Sequence, residues 1–159
     1  MNKLLGRLVA LLILSVSLLT LSTTAISEIK TLVFSAIPDQ DQAQLVKRFG
    51  KVADYLTETL GVPVTYVPVN SYAAAITSFQ NNQVQLAWFG GLSGVRARLL
   101  VPGSEAIAQG YEDTEFVSYF IAHHSTGLKS SERFPSGISG KTFTFGSKGS
   151  TSGRLMPEF

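Results

Sequence analysis

Three consecutive hydroxyl residues near the carboxyl end, Ser150, Thr151 and Ser152, are the side chains best suited to chemistry. They follow a predicted buried strand (142–145) and a glycine-rich turn, and they precede a predicted helix that starts near Arg154. Hydroxyls at a helix start can cap the free backbone N–H groups of its first turn. They can also leave those donors free for an anion, which the positive end of a helix favours. The loop predicts either an ordinary helix cap or an oxyanion site made of neutral donors.

Nucleotide-binding motifs do not account for this loop. Its glycines, Gly146, Gly149 and Gly153, follow the order G-x-x-G-x-x-x-G, which is not the dinucleotide fingerprint G-x-G-x-x-G. Lys148 precedes the hydroxyl residues, whereas the lysine of a P-loop stands between a glycine and a serine or threonine.

Two earlier residues are candidate partners of the loop. Tyr72 starts a predicted helix, and its phenol can either donate to an anion oxygen or simply pack as an aromatic ring. Ser93 starts another predicted helix, which we expect it to cap while keeping a free donor. Trp88 belongs to the apolar run VQLAWF, which favours a place in the core.

Metal binding and catalysis are weakly supported. The only histidines, His123 and His124, are adjacent and would point to opposite faces of a strand, and the chain has no cysteine. The nucleophile motif G-x-S-x-G is absent. We therefore predict a protein that is not an enzyme and needs no cofactor or metal. The alternative is an exported serine hydrolase, whose triad would combine Ser150 or Ser152 with His124 and either Glu112 or Asp113.

The first residues predict export. Lys3 and Arg7 precede an apolar run of about 14 residues, shorter than the roughly 20 that span a membrane, and small residues follow. We predict a signal peptide over 1–25, cleaved after Ala25, and a periplasmic protein. An uncleaved leader would instead make the chain a membrane-anchored sensor domain.

The charge balance of the mature chain disfavours nucleic acid. Of the 13 Lys and Arg residues, two lie in the leader, which leaves 11 against 11 Asp and Glu. The absence of cysteine fits a periplasmic domain that does not depend on disulfides.

Strand and helix patterns alternate over short connections, which predicts an α/β fold with a mostly parallel sheet. Ligands of such sheets bind at the carboxyl ends of the strands, here the loops 35–39, 70–72 and 89–93. We place one lobe at 26–122 and the hinge with the start of a second lobe at 123–159. The predicted strands are 31–37, 62–69, 84–89, 105–110, 115–123 and 142–145, and the predicted helices are 42–60, 72–79 and 93–100.

Several stretches together resemble one family. They are 37–39 (IPD), 70–74 (NSYAA), 88–95 (WFGGLSGV) and 146–154 (GSKGSTSGR), in matching order over essentially all of 28–159. They are similar to the periplasmic phosphonate- and phosphite-binding proteins of ABC importers, and most similar to a subgroup often described as selenate-binding. The chain departs from several phosphonate binders at Gly94, where those carry a tyrosine.

The resemblance implies a type II periplasmic binding protein, whose two α/β lobes close on a tetrahedral oxyanion. It implies that Ser150, Thr151, Ser152 and Tyr72 contact the anion, and that an ABC permease with its ATPase subunits is the partner. The ligand class is phosphonate, phosphite, phosphate or a selenate-like anion. Since the family is considerably longer, we expect this sequence to be a partial one, with an incomplete second lobe.

Overall fold

The computed structural model describes residues 31–134 and 136–159. The predicted signal peptide (1–25) lies outside the described residues. Three strands form a parallel sheet in the order β2-β1-β3. The strands are β1 (Leu32–Ala36), β2 (Val64–Tyr66) and β3 (Leu86–Trp88), and the helices are α1 (Gln42–Leu60), α2 (Tyr72–Gln80), α3 (Gly91–Leu100) and α4 (Met156–Glu158). This arrangement confirms the predicted α/β fold with a parallel sheet.

Local signals set the bounds of α1 and α2. The Asp41 carboxylate accepts hydrogen bonds from two N–H groups of the first turn of α1, at 3.0 and 3.3 Å. Gly61 ends α1 with a φ of 67°, a left-handed conformation that costs glycine little. The Ser71 hydroxyl caps α2 by accepting from the N–H of Ala74 at 3.0 Å. These caps confirm the predicted start and end of α1 and the predicted start of α2.

Alternate strand residues face α1 and form the core. Phe34 and Ala36 of β1 are buried against Leu45 and Phe49 of α1. The rings of Phe34 and Phe49 meet edge to face with centroids 5.4 Å apart. Trp88 packs at the margin of this cluster, as its apolar sequence context predicts.

The chain steps from β1 to β2 on one side and then to β3 on the other. Because βαβ connections are right-handed, steps in opposite directions place α1 and α2 on opposite faces of the sheet. The carboxyl ends of β1 and β3 consequently form a switch point, where the chain leaves adjacent strands toward opposite faces. A crevice for a ligand is expected there.

Strand β2 is shorter than predicted. The prediction covered 62–69, and the observed strand is Val64–Tyr66. Pro63 and Pro68 flank it, and since proline has no N–H it cannot donate to the ladder. The ladder extends beyond the strand only through the Pro63 carbonyl, which accepts from Leu32, and the Val67 N–H, which donates to Phe34.

The strands predicted at 105–110, 115–123 and 142–145 are wrong for this structure. Extended backbone and short 3₁₀ turns occupy these stretches, and none of them pairs with another strand among the described residues. A β-strand forms only when it is hydrogen-bonded to a neighbouring strand, so a stretch rich in β-branched and aromatic residues is not sufficient to form one. Many apolar side chains of this region are consequently exposed, among them Phe116, Val117, Tyr119, Phe120 and Ile121.

None of the helices within 31–134 and 136–159 is long and apolar enough to cross a membrane.

Candidate oxyanion site

The hydroxyl loop (residues 146–153) is closed on itself by backbone contacts. The N–H of Gly146 donates to the carbonyl of Gly153 at 2.6 Å, and the N–H of Ser150 donates to Ser147 at 2.9 Å. A Cβ on Gly146 would lie 3.0 Å from the Gly153 Cα, so the two backbone segments leave no room for a side chain. The glycines thus let the loop close tightly before the helical turn begins.

The helical turn after the loop has π geometry over Thr151–Leu155 and leads into α4. Ser150 is its cap, since its Oγ accepts from the N–H of Gly153 at 3.0 Å. Among the residues that the structure describes, the N–H groups of Thr151 and Ser152 make no hydrogen bond. The Ser150 hydroxyl thus caps the turn, and in this part of the structure two backbone N–H groups remain without an acceptor.

Thr151 fastens the loop to the first turn of α3. Its Oγ1 accepts from the N–H of Leu92 at 2.9 Å, across 59 residues of sequence. The same oxygen would lie 3.3 Å from a Cβ on Gly91, so glycine at this position allows the close approach. Because a hydroxyl that accepts one bond still has a hydrogen to donate, Thr151 remains available as a donor.

Tyr72 lies against the other side of the loop. Gly149 is buried on the Tyr72 ring, and a Cβ there would lie 2.8 Å from the ring carbon Cγ. Burial raises the pKa of the Tyr72 phenol, and the Asp39 carboxylate also raises it, whereas a hydrogen bond with the Ser150 hydroxyl lowers it. The net effect is a pKa raised above 10.0. A phenol with a raised pKa stays protonated and remains a donor. The structure thus brings Tyr72 and Ser150 together.

Ser93 does not sit where the sequence predicts. Helix α3 begins at Gly91 and has Gly90 as its cap, so Ser93 lies in the first turn and is fully buried. Its hydroxyl accepts from the Gly90 N–H at 3.0 Å and donates to the Gly90 carbonyl at 3.1 Å. The expected free donor is therefore absent at Ser93, because the hydroxyl closes the helix start on itself, and its placement favours a structural role.

An open concavity of about 440 Å³ borders the hydroxyl loop. Its lining comes from two stretches of the chain: Thr151, Ser152 and Met156, and Phe116, Val117 and Ser118. Sequence reasoning missed the second set because it assigned 115–123 to a strand.

The residues of the hypothetical hydrolase triad are not brought together. His123 contacts the Ser125 hydroxyl at 2.8 Å and stacks with His124, at a centroid distance of 4.1 Å. Asp113 accepts from the N–H of Gly110 at 2.7 Å, within its own turn. In the described part of the chain, no hydrogen bond joins either imidazole to Ser150 or Ser152.

Basic side chains contribute little to the loop. Arg154 stacks on the Phe145 ring at 4.3 Å and pairs with Glu158 one turn later. Lys148 is exposed. Within 31–134 and 136–159 no group of three or more metal-ligating side chains is close enough to hold an ion. The available recognition groups are therefore hydroxyls, a phenol and backbone N–H groups.

Comparison with known proteins identifies the family of this chain. Residues 34–159 match the family model described as "ABC transporter, phosphonate, periplasmic substrate-binding protein". A probable ABC transporter phosphite binding protein, PhnD1 of Prochlorococcus marinus, is 46% identical over 140 residues, which are 87% of this chain and 47% of PhnD1. The phosphate-import protein PhnD of Mycolicibacterium smegmatis is 28% identical over 86% of this chain and 43% of its own length.

The structure of Prochlorococcus PhnD1 in complex with methylphosphonate is also similar, with a TM-score of 0.64 and 42% identity. The match covers 81% of this chain and 48% of that structure, and it confirms the expected periplasmic binding protein fold. The chain spans about half the length of the curated relatives it matches. With its family match over most of the chain, this protein belongs to the phosphonate-binding family of periplasmic substrate-binding proteins of ABC transporters.

Proposed function

We propose that this protein captures a tetrahedral phosphorus oxyanion in the periplasm and presents it to an ABC permease and its ATPase subunits. The observation that carries the proposal is the docking of the hydroxyl loop between Tyr72 and the start of α3. In the loop, the N–H groups of Thr151 and Ser152 have no acceptor among the described residues. The relatives named for phosphite binding and phosphate import, and the neighbour holding methylphosphonate, support this ligand class.

Binding would replace the hydration of the anion by neutral donors. We assign this role to the hydroxyls of Ser150, Thr151 and Ser152, the phenol of Tyr72, and the two free N–H groups. Hydrogen bonds to a charged acceptor are about twice as strong as neutral ones, so several donors can replace a countercharge. A preformed donor set also loses little ordering entropy on binding, which favours affinity.

Release and transport would depend on closure. A ligand that contacts a second lobe only in the closed form shifts the balance between open and closed forms by its differential affinity. The permease would then recognise the closed form. In this proposal the chain performs binding and no catalysis.

Removing the Ser150 hydroxyl tests the site. In the full-length protein, Ser150→Ala should weaken methylphosphonate binding by about 1–3 kcal/mol, because an anion oxygen loses its donor. Titration calorimetry measures this loss. Ser150→Thr keeps the hydroxyl and should retain most of the affinity.

Ser147→Ala is the matched control, since Ser147 is exposed in the same loop and contributes its backbone carbonyl to the turn. It should bind like the wild-type protein. Equal affinity of the Ser150→Ala variant and the wild-type protein would contradict the assignment.

A further inference from the structure

The loop after β1 presents a carboxylate at the switch point. The N–H of Ile37 donates to the Trp88 carbonyl at 3.0 Å, which ties this loop to the end of β3. The N–H of Asp39 then donates back to the Ile37 carbonyl at 3.0 Å, so the chain turns sharply at Pro38. Asp39 is exposed at the edge of the sheet where the hydroxyl loop docks.

The two acidic residues of this loop differ in what they do. Asp41 uses its carboxylate to cap α1 through two backbone N–H groups. Asp39 makes no side-chain hydrogen bond or ion pair among the residues the structure describes. Its negative charge is therefore not neutralised by a neighbouring cation in that part of the chain.

The Asp39 carboxylate raises the pKa of two phenols on neighbouring elements, Tyr66 of β2 and Tyr72 of α2. Burial raises the pKa of Tyr66, and the Asp39 carboxylate raises it further. The Tyr66 hydroxyl is buried and has no hydrogen-bond partner in 31–134 or 136–159. Of the basic residues near the hydroxyl loop, Lys148 is exposed and Arg154 pairs with Glu158. Asp39 thus lies at the same edge of the sheet as Tyr72, and its carboxylate has no hydrogen-bond donor within 31–134 and 136–159.

Such an acceptor sets a chemical condition on the ligand. A carboxylate can only accept hydrogen bonds, and two negative oxygens in contact repel each other. A fully deprotonated anion would place one negative oxygen against another at this point. An anion that keeps one hydroxyl can instead donate that hydrogen to the carboxylate and offer its remaining oxygens to the hydroxyl loop.

Building on the proposed function, we propose that Asp39 is a specificity-determining residue, which selects singly protonated phosphorus oxyanions by accepting their O–H and rejects sulfate and selenate. Phosphonate, phosphite and phosphate monoanions carry such a hydrogen, whereas sulfate and selenate carry none near neutral pH. The acceptor therefore separates two groups of anions that have the same tetrahedral shape.

The proposal predicts a pH dependence for the wild-type full-length protein. Above the second ionisation of methylphosphonate the affinity should fall by about tenfold per pH unit, because the bound form keeps a proton that the free ligand has lost. Tyr66 and Tyr72 stay protonated across that range, since both pKa values are raised above 10.0. Calorimetric titration on both sides of that ionisation measures the effect. An affinity that is constant across it would overturn the proposal, even if no variant could be prepared.

Asp39→Asn adds a second test. An amide can donate to a deprotonated oxygen, so the preference for methylphosphonate over sulfate should fall by about tenfold or more, and the pH dependence should weaken. Asp54→Asn is the matched control, because Asp54 is exposed on α1 and the variant has the same net charge. Asp39→Glu should keep the preference for the protonated ligand.

The outcomes separate this proposal from the function on which it rests. A folded Asp39→Asn variant with the wild-type preference would overturn the role of Asp39 and leave oxyanion capture intact. Failure of the wild-type full-length protein to bind methylphosphonate, phosphite, phosphate, sulfate or selenate would overturn both.

Discussion

At the scale of single residues, Tyr72 shows how burial and charge prepare a donor. Its ring packs on Gly149, its phenol meets the Ser150 hydroxyl, and the Asp39 carboxylate lies near enough to oppose ionisation. Burial and Asp39 act in the same direction and outweigh the hydrogen bond from Ser150. The phenol therefore remains a hydrogen-bond donor at every pH at which a periplasmic protein works.

Titration of the phenols checks this environment. In the folded protein the pKa values of Tyr66 and Tyr72 are raised above 10.0. Each protonated phenol therefore contributes its full stabilisation below pH 10, and this contribution is lost as the pH rises through the pKa of the folded state. Site-resolved NMR of labelled tyrosine should place both midpoints above 10, and Asp39→Asn should lower both. Midpoints that do not move in the variant would show that the Asp39 carboxylate does not influence the phenols.

At the scale of elements, the hydroxyl loop is held from two sides. Thr151 accepts from the first turn of α3, and Gly149 rests on the first residue of α2. Each contact joins the loop to a helix that starts at the carboxyl edge of the sheet. A loop held in this way keeps its free N–H groups in one place, which a flexible glycine-rich loop could not do.

Gly149→Ala tests this docking. The added methyl group would meet the Tyr72 ring, so the loop must move away, and methylphosphonate affinity should fall by roughly tenfold or more. Calorimetry measures the affinity and the Tyr72 ring resonances report the movement.

Gly50→Ala provides the control, because Gly50 lies inside α1 with nothing within 4 Å of an added Cβ. That change should leave binding intact and stabilise the fold by up to about 1 kcal/mol. Unchanged affinity in the Gly149→Ala variant would mean that the contact with Tyr72 does not position the loop.

At the scale of the whole molecule, a small sheet with a well-packed core is followed by a region with a large exposed apolar surface. The core joins Phe34, Leu45 and Phe49, whereas the region after residue 105 exposes many apolar side chains. Phe120 contacts Phe134 and Phe143 ring to ring, which gives that region a partial cluster of its own. The best-packed part of the molecule is thus the part that supports the carboxyl edge of the sheet.

Ligand binding should stabilise the whole protein. If only the folded state binds, methylphosphonate at a hundred times its Kd should raise the free energy of unfolding of the full-length protein by about 2.7 kcal/mol. Thermal unfolding with methylphosphonate, phosphite, sulfate or chloride at equal ionic strength measures this. Chloride should give no shift, and a shift of equal size with chloride would show a general salt effect instead of a specific site.

Much of the fold and the position of the hydroxyl loop could be predicted from short stretches of sequence. The bounds of α1, the caps at Asp41, Ser71 and Gly61, and the position of the hydroxyl loop all depend on contacts within a few residues. The sequence also places Tyr72 at a helix start on the ligand edge. It fails for the predicted strands after residue 105, because pairing with a neighbour decides a strand and no local pattern reports that neighbour.

The amino-acid sequence by itself determined the α/β alternation, the bounds of α1 and a run of hydroxyls just before a helical turn. Only the tertiary structure decided that the Ser93 hydroxyl bonds to Gly90 within the start of α3, that Gly149 packs on Tyr72, and that the Asp39 carboxylate raises the pKa of two phenols. The physical reason is distance along the chain. Caps and turns are hydrogen bonds between near neighbours, whereas the site is assembled from loops separated by dozens of residues, which only the packed sheet brings to one edge.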